Sequence, residues 1–260
     1  MKAGYGDHVK VAMDGHVAVV TLDRPPHNFV SVELMREVAD AMEACDGARD
    51  VRAIVLQSEG KTFSGGADFG SPTDRVASGM AGVTALYDQA VRLFSIETPI
   101  VAAVQGAAVG AGLGLALVAD FRIAAPEARF SANFVKLSFH PGFGLTHTLP
   151  RLVGQQRAAL MFLTGRRIKA QEALGWGLVD EVVALDELRG AALRLAREIA
   201  ENAPLAVVAT RKTLRARLAA DVRAQTGIEH EQQALLRETE DFAEGVRSVA
   251  ERRPGNFVGR

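Results

Sequence analysis

Two apolar runs, each ending in a cluster of small residues, organise the middle of the chain. Ala53-Ile54-Val55-Leu56 leads to Phe63-Ser64-Gly65-Gly66-Ala67-Asp68, and Ile100-Val101-Ala102-Ala103-Val104 leads to Gln105-Gly106-Ala107-Ala108-Val109-Gly110-Ala111-Gly112-Leu113-Gly114. Short uninterrupted apolar runs bounded by turn residues read as buried strands. Ahead of them, residues 9–13 and Val17–Leu22 flank Asp14-Gly15, a hairpin signal. Ser31 is placed to cap a helix over residues 32–45, where Val32, Met35, Val38, Ala39 and Met42 recur at helical spacing. The pattern predicts a further helix near residues 83–95 and a short strand at 121–125, with a mobile stretch rich in Gly, Ser and Ala over 69–82. Strands alternating with helices argue an α/β fold with parallel pairing.

Beyond about Pro150 the pattern becomes mostly helical. Asn202-Ala203-Pro204 opens a helix expected to reach about Ala220, and residues 228–237 and 241–253 continue the trend. Arg211, Lys212, Arg215 and Arg217 form a basic face on the first of these helices. A solvated face is the expected reading of such a run, ahead of a phosphate site. No tandem repeat or low-complexity linker divides the 260 residues, so the expected organisation is a core over 1–200 with a helical C-terminal extension over 201–260.

Composition narrows the function classes. Thirty basic residues against 31 acidic ones give no nucleic-acid footprint. No run of 18 apolar residues suits a membrane span and no signal pattern opens the chain, so a cytoplasmic protein is expected. Cys45 is the only cysteine, which excludes intrachain disulfides and cysteine-rich metal sites; on a helical apolar face it reads as a buried, inert thiol. The six histidines form no His-Glu-x-x-His arrangement, so no metal is expected.

Three phosphate or nucleophile motifs come close and fail on spacing. Glu59-Gly60-Lys61-Thr62 lacks the earlier glycine of a P-loop, since Val55 stands there. Gly110-Ala111-Gly112 lacks the third small residue of a dinucleotide loop, which would fall at Leu115. Ser64 has Thr62 where a nucleophile elbow requires glycine. What the two turns do offer is backbone: small residues let N–H groups approach a ligand, and two such groups aimed at one oxygen form an oxyanion hole.

The two turns and their flanks resemble the enoyl-CoA hydratase/isomerase (crotonase) superfamily. The likeness runs from Val19-Val20-Thr21-Leu22-Asp23-Arg24-Pro25 and Asn28, through both turns, to Ala119-Asp120-Phe121-Arg122-Ile123-Ala124. It continues in Leu149-Pro150-Arg151-Leu152-Val153-Gly154, in Ala173-Leu174-Gly175-Trp176-Gly177-Leu178-Val179, and in the ending from Glu244-Gly245 to Arg252-Arg253-Pro254. The resemblance implies a crotonase-like spiral of ββα units, C-terminal helices that build a homotrimer or a hexamer of paired trimers, and acyl-CoA thioesters as substrates in fatty-acid or related metabolism. It implies no separate cofactor, coenzyme A being part of the substrate, and neither nucleic-acid nor membrane partners.

By position, the oxyanion donors implied are the backbone N–H groups of Ala67 and Ala111, with CoA along Ser64, Ala67 and Asp68 and its phosphates near Arg24. The two glutamates of the family's hydratases fall at Gly114 and Phe134, neither of which is a carboxylate. Efficient enoyl-CoA hydration is therefore not the expected activity, and Phe134 is expected to line an apolar acyl pocket. Replacement acid–base groups are sought around the Pro141-Gly142 turn: His140 first, then His147 and Asp68, with Tyr87 and Ser138 behind them. Two readings follow, an acyl-CoA enzyme that stabilises an enolate or tetrahedral oxyanion, and a non-catalytic acyl-CoA-binding homologue.

Overall fold

The computed structural model describes residues 2–67 and 79–260. Asp68 and the stretch 69–78 lie outside the described residues. The hairpin read from Asp14-Gly15 is present: β2 (Val9–Asp14) and β3 (Val17–Leu22) pair antiparallel, with Gly15 at φ +56° in the turn. A two-residue strand, β1 (Gly4–Tyr5), pairs with β2. From β3 onward the pairing is parallel, through β4 (Ala53–Ser58), β5 (Ile100–Val104), β7 (Phe121–Ala124) and β10 (Glu181–Val182), in the order β1-β2-β3-β4-β5-β7-β10.

Parallel neighbours need long crossovers, and here those crossovers carry the site. A second sheet, β6 (Ala107–Val109), β8 (Arg129–Ser131) and β9 (Arg167–Lys169), lies beside the first, and Ser64 joins it by a parallel bridge to Ala108. Three successive passes thus share one plan: a strand in the large sheet, a short pairing in the second, then a helix. The passes are β4, Ser64 and α2 (Met80–Phe94); β5, β6 and α3 (Ala111–Ala116); and β7, β8 and a 3-10 turn (Asn133–Leu137). The chain advances as a spiral of ββα units.

Both faces of the central strands β4 and β5 are buried, so they read as continuous apolar runs. Val55, Val101, Ala103 and Ile123 pack against α7 (Leu188–Ala200). Ile54, Leu56, Ile100 and Val104 face the larger core, which includes Met35, Val38 and Met42 of α1 (Val32–Asp46). Ser31 caps α1 as its position implies, its Oγ accepting from Leu34 N at 3.1 Å. Cys45 is buried on that helix, and burial pushes its thiol up to about 11.

The second half departs from the expected helix bounds. Helices α4 (Leu145–Val153), α5 (Gln155–Thr164) and α6 (Ala170–Gly175) precede α7. The helix opened by Pro204 ends early as α8 (Pro204–Leu214), because Arg217 takes φ +70° and redirects the chain. One long helix, α9 (Leu218–Arg237), then packs against α2, and α10 (Glu240–Ala250) packs against the 3-10 turn.

The basic face on α8 also needs correction. Arg211 Nε and Arg215 Nη1 lie 2.8 and 2.7 Å from the Asp120 carboxylate, and Arg211 is only 8% exposed. Lys212 pairs with Glu97 at 2.6 Å. Two of the four cations are anchors of the C-terminal helices onto the core, not a solvated surface.

Candidate active site

The two small-residue turns meet. Ser64 N donates to Ala107 O at 2.9 Å and Val109 N donates to Ser64 O at 3.0 Å. Glycine is required where they touch. A Cβ on Gly66, which has φ +82°, would lie 2.6 Å from Val109 O, and one on Gly112 would lie 2.5 Å from Ser64 O. Asn28 steadies the first turn from below, its Nδ2 donating to Glu59 O and Thr62 O, while Val30 N donates to Gly66 O at 2.8 Å. This pairing uses the atoms flanking Ala67 and leaves its own N–H unused. Ala111 opens α3, where the first N–H groups have no intrahelical acceptor. Among the described residues no acceptor takes the N–H of Ala67 or of Ala111.

Ala67 and Ala111 line one cavity of about 310 Å³. Most of its other walls are apolar, among them Val83 and Leu86 of α2, Phe134 and Leu137 of the 3-10 turn, and Val246 and Val249 of α10. Phe134 is 8% exposed, and its Cζ lies 3.6 Å from where a Gly110 Cβ would stand. At Gly114 the space for a side chain is taken. A Cβ there would sit 2.5 Å from Cδ1 of Phe143, a fully buried residue held at φ +65°. Of the two positions to which the resemblance assigns glutamates, one is a ring in the cavity wall and the other is filled by a neighbouring ring.

The remaining candidates are placed elsewhere. His140 does not line the cavity; its ring turns back so that Nδ1 donates to Pro141 O at 2.7 Å. His147 lies in the first turn of α4, also away from the cavity lining, with a buried Nε2 that has no partner among the described residues. Asp68 lies outside the described residues. Ser64 uses Oγ on Asn28 O at 2.8 Å and its backbone on Ala107 and Val109, so it fastens the turns together rather than presenting a donor to a ligand. Arg24 Nη1 donates to Phe29 O at 2.7 Å, a local brace that leaves the rest of the guanidinium partly exposed. Among the described residues no three His, Cys, Asp or Glu side chains are grouped as a metal site requires.

Of the polar residues lining the cavity, Tyr87 is a candidate already named from the sequence, whereas Asn133 and Gln233 are not. Asn133 lines it one residue before Phe134, with no hydrogen-bond partner among the described residues. Gln233 lines it from α9, accepting from Tyr87 Oη at 2.8 Å and donating to His140 O at 2.8 Å. Burial, with the charge of nearby Glu229, pushes the Tyr87 hydroxyl far above its ordinary range, so it is neutral here. Glu229 and Gln233 are four apart on α9 and share a face; the spacing is visible in the sequence, but nothing there says what the face meets.

Glu229 is fully buried and caps α4 from a distance, accepting from Gly144 N, Thr146 N and Thr146 Oγ at 2.7, 2.9 and 2.6 Å. Burial outweighs those three bonds and pushes its carboxyl up to about 7. An acid with a raised native value contributes stability that is full below about pH 4.5 and is lost as pH rises through 7. The change is on the order of 3 kcal/mol. Urea unfolding at pH 5 and pH 8 is expected to show wild type losing stability relative to Glu229→Gln across that interval. An unchanged difference between the two proteins would contradict the assignment.

Comparison with known proteins places these features in a wider set. A family model described as enoyl-CoA hydratase/isomerase matches residues 12–260. The chain is 37% identical over 249 residues to a probable enoyl-CoA hydratase of Rhodobacter capsulatus, covering 94% of this chain and 95% of that protein. It is 37% identical over 260 residues to the (E)-benzylidenesuccinyl-CoA hydratase of Thauera aromatica, covering 96% and 99%. A crystal structure of an enoyl-CoA hydratase/isomerase from Pseudoalteromonas atlantica T6c is similar with a TM-score of 0.87 at 32% identity, over 97% of this chain and all of that one.

Proposed function

This chain belongs to the enoyl-CoA hydratase/isomerase family, and from that premise we propose that it holds the thioester oxygen of an acyl-CoA between the N–H groups of Ala67 and Ala111. What chiefly supports this reading is that two interlocked turns bring Ala67 and Ala111 to one mostly apolar cavity, their N–H groups without an acceptor among the described residues. Negative charge arriving on that oxygen gains more from the two donors than a neutral carbonyl does, so an enolate or tetrahedral oxyanion is favoured over bound substrate. Isomerisation, retro-Claisen cleavage, decarboxylation and thioester hydrolysis all pass through such a species. The metabolism of fatty or related acyl groups is the setting this implies.

Efficient hydration of a short enoyl-CoA is not the activity we propose. Hydration must position water and move protons, each group contributing about a hundred- to ten-thousandfold. Phe134 and the Phe143-filled space at Gly114 supply neither service. A second reading, a non-catalytic acyl-CoA-binding member, is favoured by one observation: among the described residues lining the cavity none is Asp, Glu, His, Lys or Cys.

Exchange of the α-protons of a saturated acyl-CoA in deuterium oxide separates the two. Exchange above background is expected if the site forms an enolate, whereas tight binding without exchange or turnover would replace the enzyme reading with the binding one. Rapid hydration of crotonyl-CoA by the purified protein would overturn the exclusion of hydratase activity.

The same proposal includes self-association through the C-terminal helices. Leu205 and Leu214 of α8 are 85% and 74% exposed, apolar surface that a second subunit would cover. Among the described residues no helix is long and apolar enough to cross a membrane.

A further inference from the structure

We infer that the acyl group taken by this site carries an aromatic ring, so that aryl-substituted acyl-CoA thioesters are the preferred class; this rests on the acyl-CoA reading above. Five of the twenty described residues lining the cavity are aromatic, Phe29, Tyr87, Phe134, Phe139 and Phe143. Aromatic residues make up 6% of the whole chain, so the lining is enriched about fourfold. A wall built for a linear chain needs no such bias, since aliphatic side chains bury methylenes equally well.

The rings bracket the place where the acyl group must begin. Phe29 presses on the first turn, its Cε1 2.9 Å from where a Gly65 Cβ would stand, and Phe134 lies against Gly110 of the second turn. Phe143 and Phe139 stand deeper, at 0% and 4% exposure. Several of these rings are held by neighbours. Phe94 meets Phe143 edge-on at 6.5 Å between centroids, Phe242 lies 5.0 Å from Phe139, and His27 lies 5.1 Å from Phe29. The aromatic wall is therefore formed before any ligand arrives, which lowers the cost of binding a rigid partner.

Size agrees. An apolar cavity of about 150 Å³ accepts benzene. About 310 Å³ therefore accommodates a ring and a short linker to the thioester. A linear chain of equal carbon number must freeze more rotatable bonds to fit. Each well-placed aromatic pair is worth about two- to twelvefold in affinity beyond its buried area.

The test is the affinity of the full-length protein for three saturated thioesters: 3-phenylpropanoyl-CoA, nonanoyl-CoA with the same nine acyl carbons, and butanoyl-CoA. Phenylpropanoyl-CoA is expected to bind at least about fivefold more tightly than nonanoyl-CoA. Phe134→Leu and the partly exposed Phe29→Leu are each expected to narrow that ratio, weakening phenylpropanoyl-CoA more than nonanoyl-CoA. Equal or tighter nonanoyl-CoA binding, or a ratio untouched in both variants, would overturn the aryl assignment alone. If none of the three thioesters binds, the acyl-CoA reading itself falls, and the aryl assignment with it.

Discussion

Replacing Ala111 with proline is expected to lower the rate of enolate formation by about a hundred- to a thousandfold while the protein still folds. Ala111 is the first residue of α3, a position where proline's missing N–H breaks no helical hydrogen bond and its fixed φ suits the helix. The preceding residue is Gly110 at φ +53°, which lacks the Cβ that a following proline would crowd. The substitution thus removes one proposed donor, and the proline ring also occupies the place from which that donor would act. Ala111→Gly keeps the N–H and is expected to stay near wild type. Both are read by α-proton exchange of a saturated acyl-CoA, with thermal unfolding as the check on folding. Retention of full exchange by the proline variant would remove Ala111 from the mechanism.

Replacing Asp120 with asparagine is expected to destabilise the protein by about 3–5 kcal/mol. Asp120 directly precedes β7 and accepts from Ile100 N at 2.8 Å, and it receives Arg211 and Arg215 from the C-terminal side. Burial alone would raise its carboxyl, but the two guanidiniums beside it outweigh burial and hold it below the usual range. Both arginines also donate to backbone carbonyls, Ile96 O and Val118 O, so neither can swing into solvent without breaking further bonds. Losing the carboxylate leaves two buried cations facing each other. For a chain of this size the expected fall in Tm is about 6–20 °C at pH 7. Because the folded carboxyl is lowered, this contribution is present above about pH 4 and lost only as pH falls through the lowered value. A fall in Tm under about 3 °C would mean that other groups carry the junction.

Much of the fold was readable because local chemistry and final structure agree. Asp14-Gly15 makes its turn, Ser31 makes its cap, and the apolar runs at 53–56 and 100–104 are buried on both faces. The second sheet was not readable, since β6, β8 and β9 have three residues each and too little length to show a period. Nor was the break after α8, because arginine is no signal for the left-handed conformation that Arg217 adopts. Arg211 and Arg215 looked like surface because their partner, Asp120, is more than ninety positions away.

The site divides in the same way. Small residues at the ends of two strands announce close backbone approach, and the structure brings Ala67 and Ala111 to one cavity. The orientation of a loop histidine has no such local signature. His140 is turned by a carbonyl one residue away, and Gln233 reaches the cavity from a helix some ninety positions further on.

The interlock of Gly114 with Phe143 bears on which sequences can neighbour this one. A glutamate introduced at 114 meets the Phe143 ring before it can reach the cavity, and trimming Phe143 first opens a hole in the core beside Phe94. Each single step loses stability, and only the double change avoids both the clash and the hole. A path from this chain to one bearing that carboxylate therefore crosses a less stable intermediate in either order. The geometry acts as a ratchet, holding position 114 free of a larger side chain by packing alone.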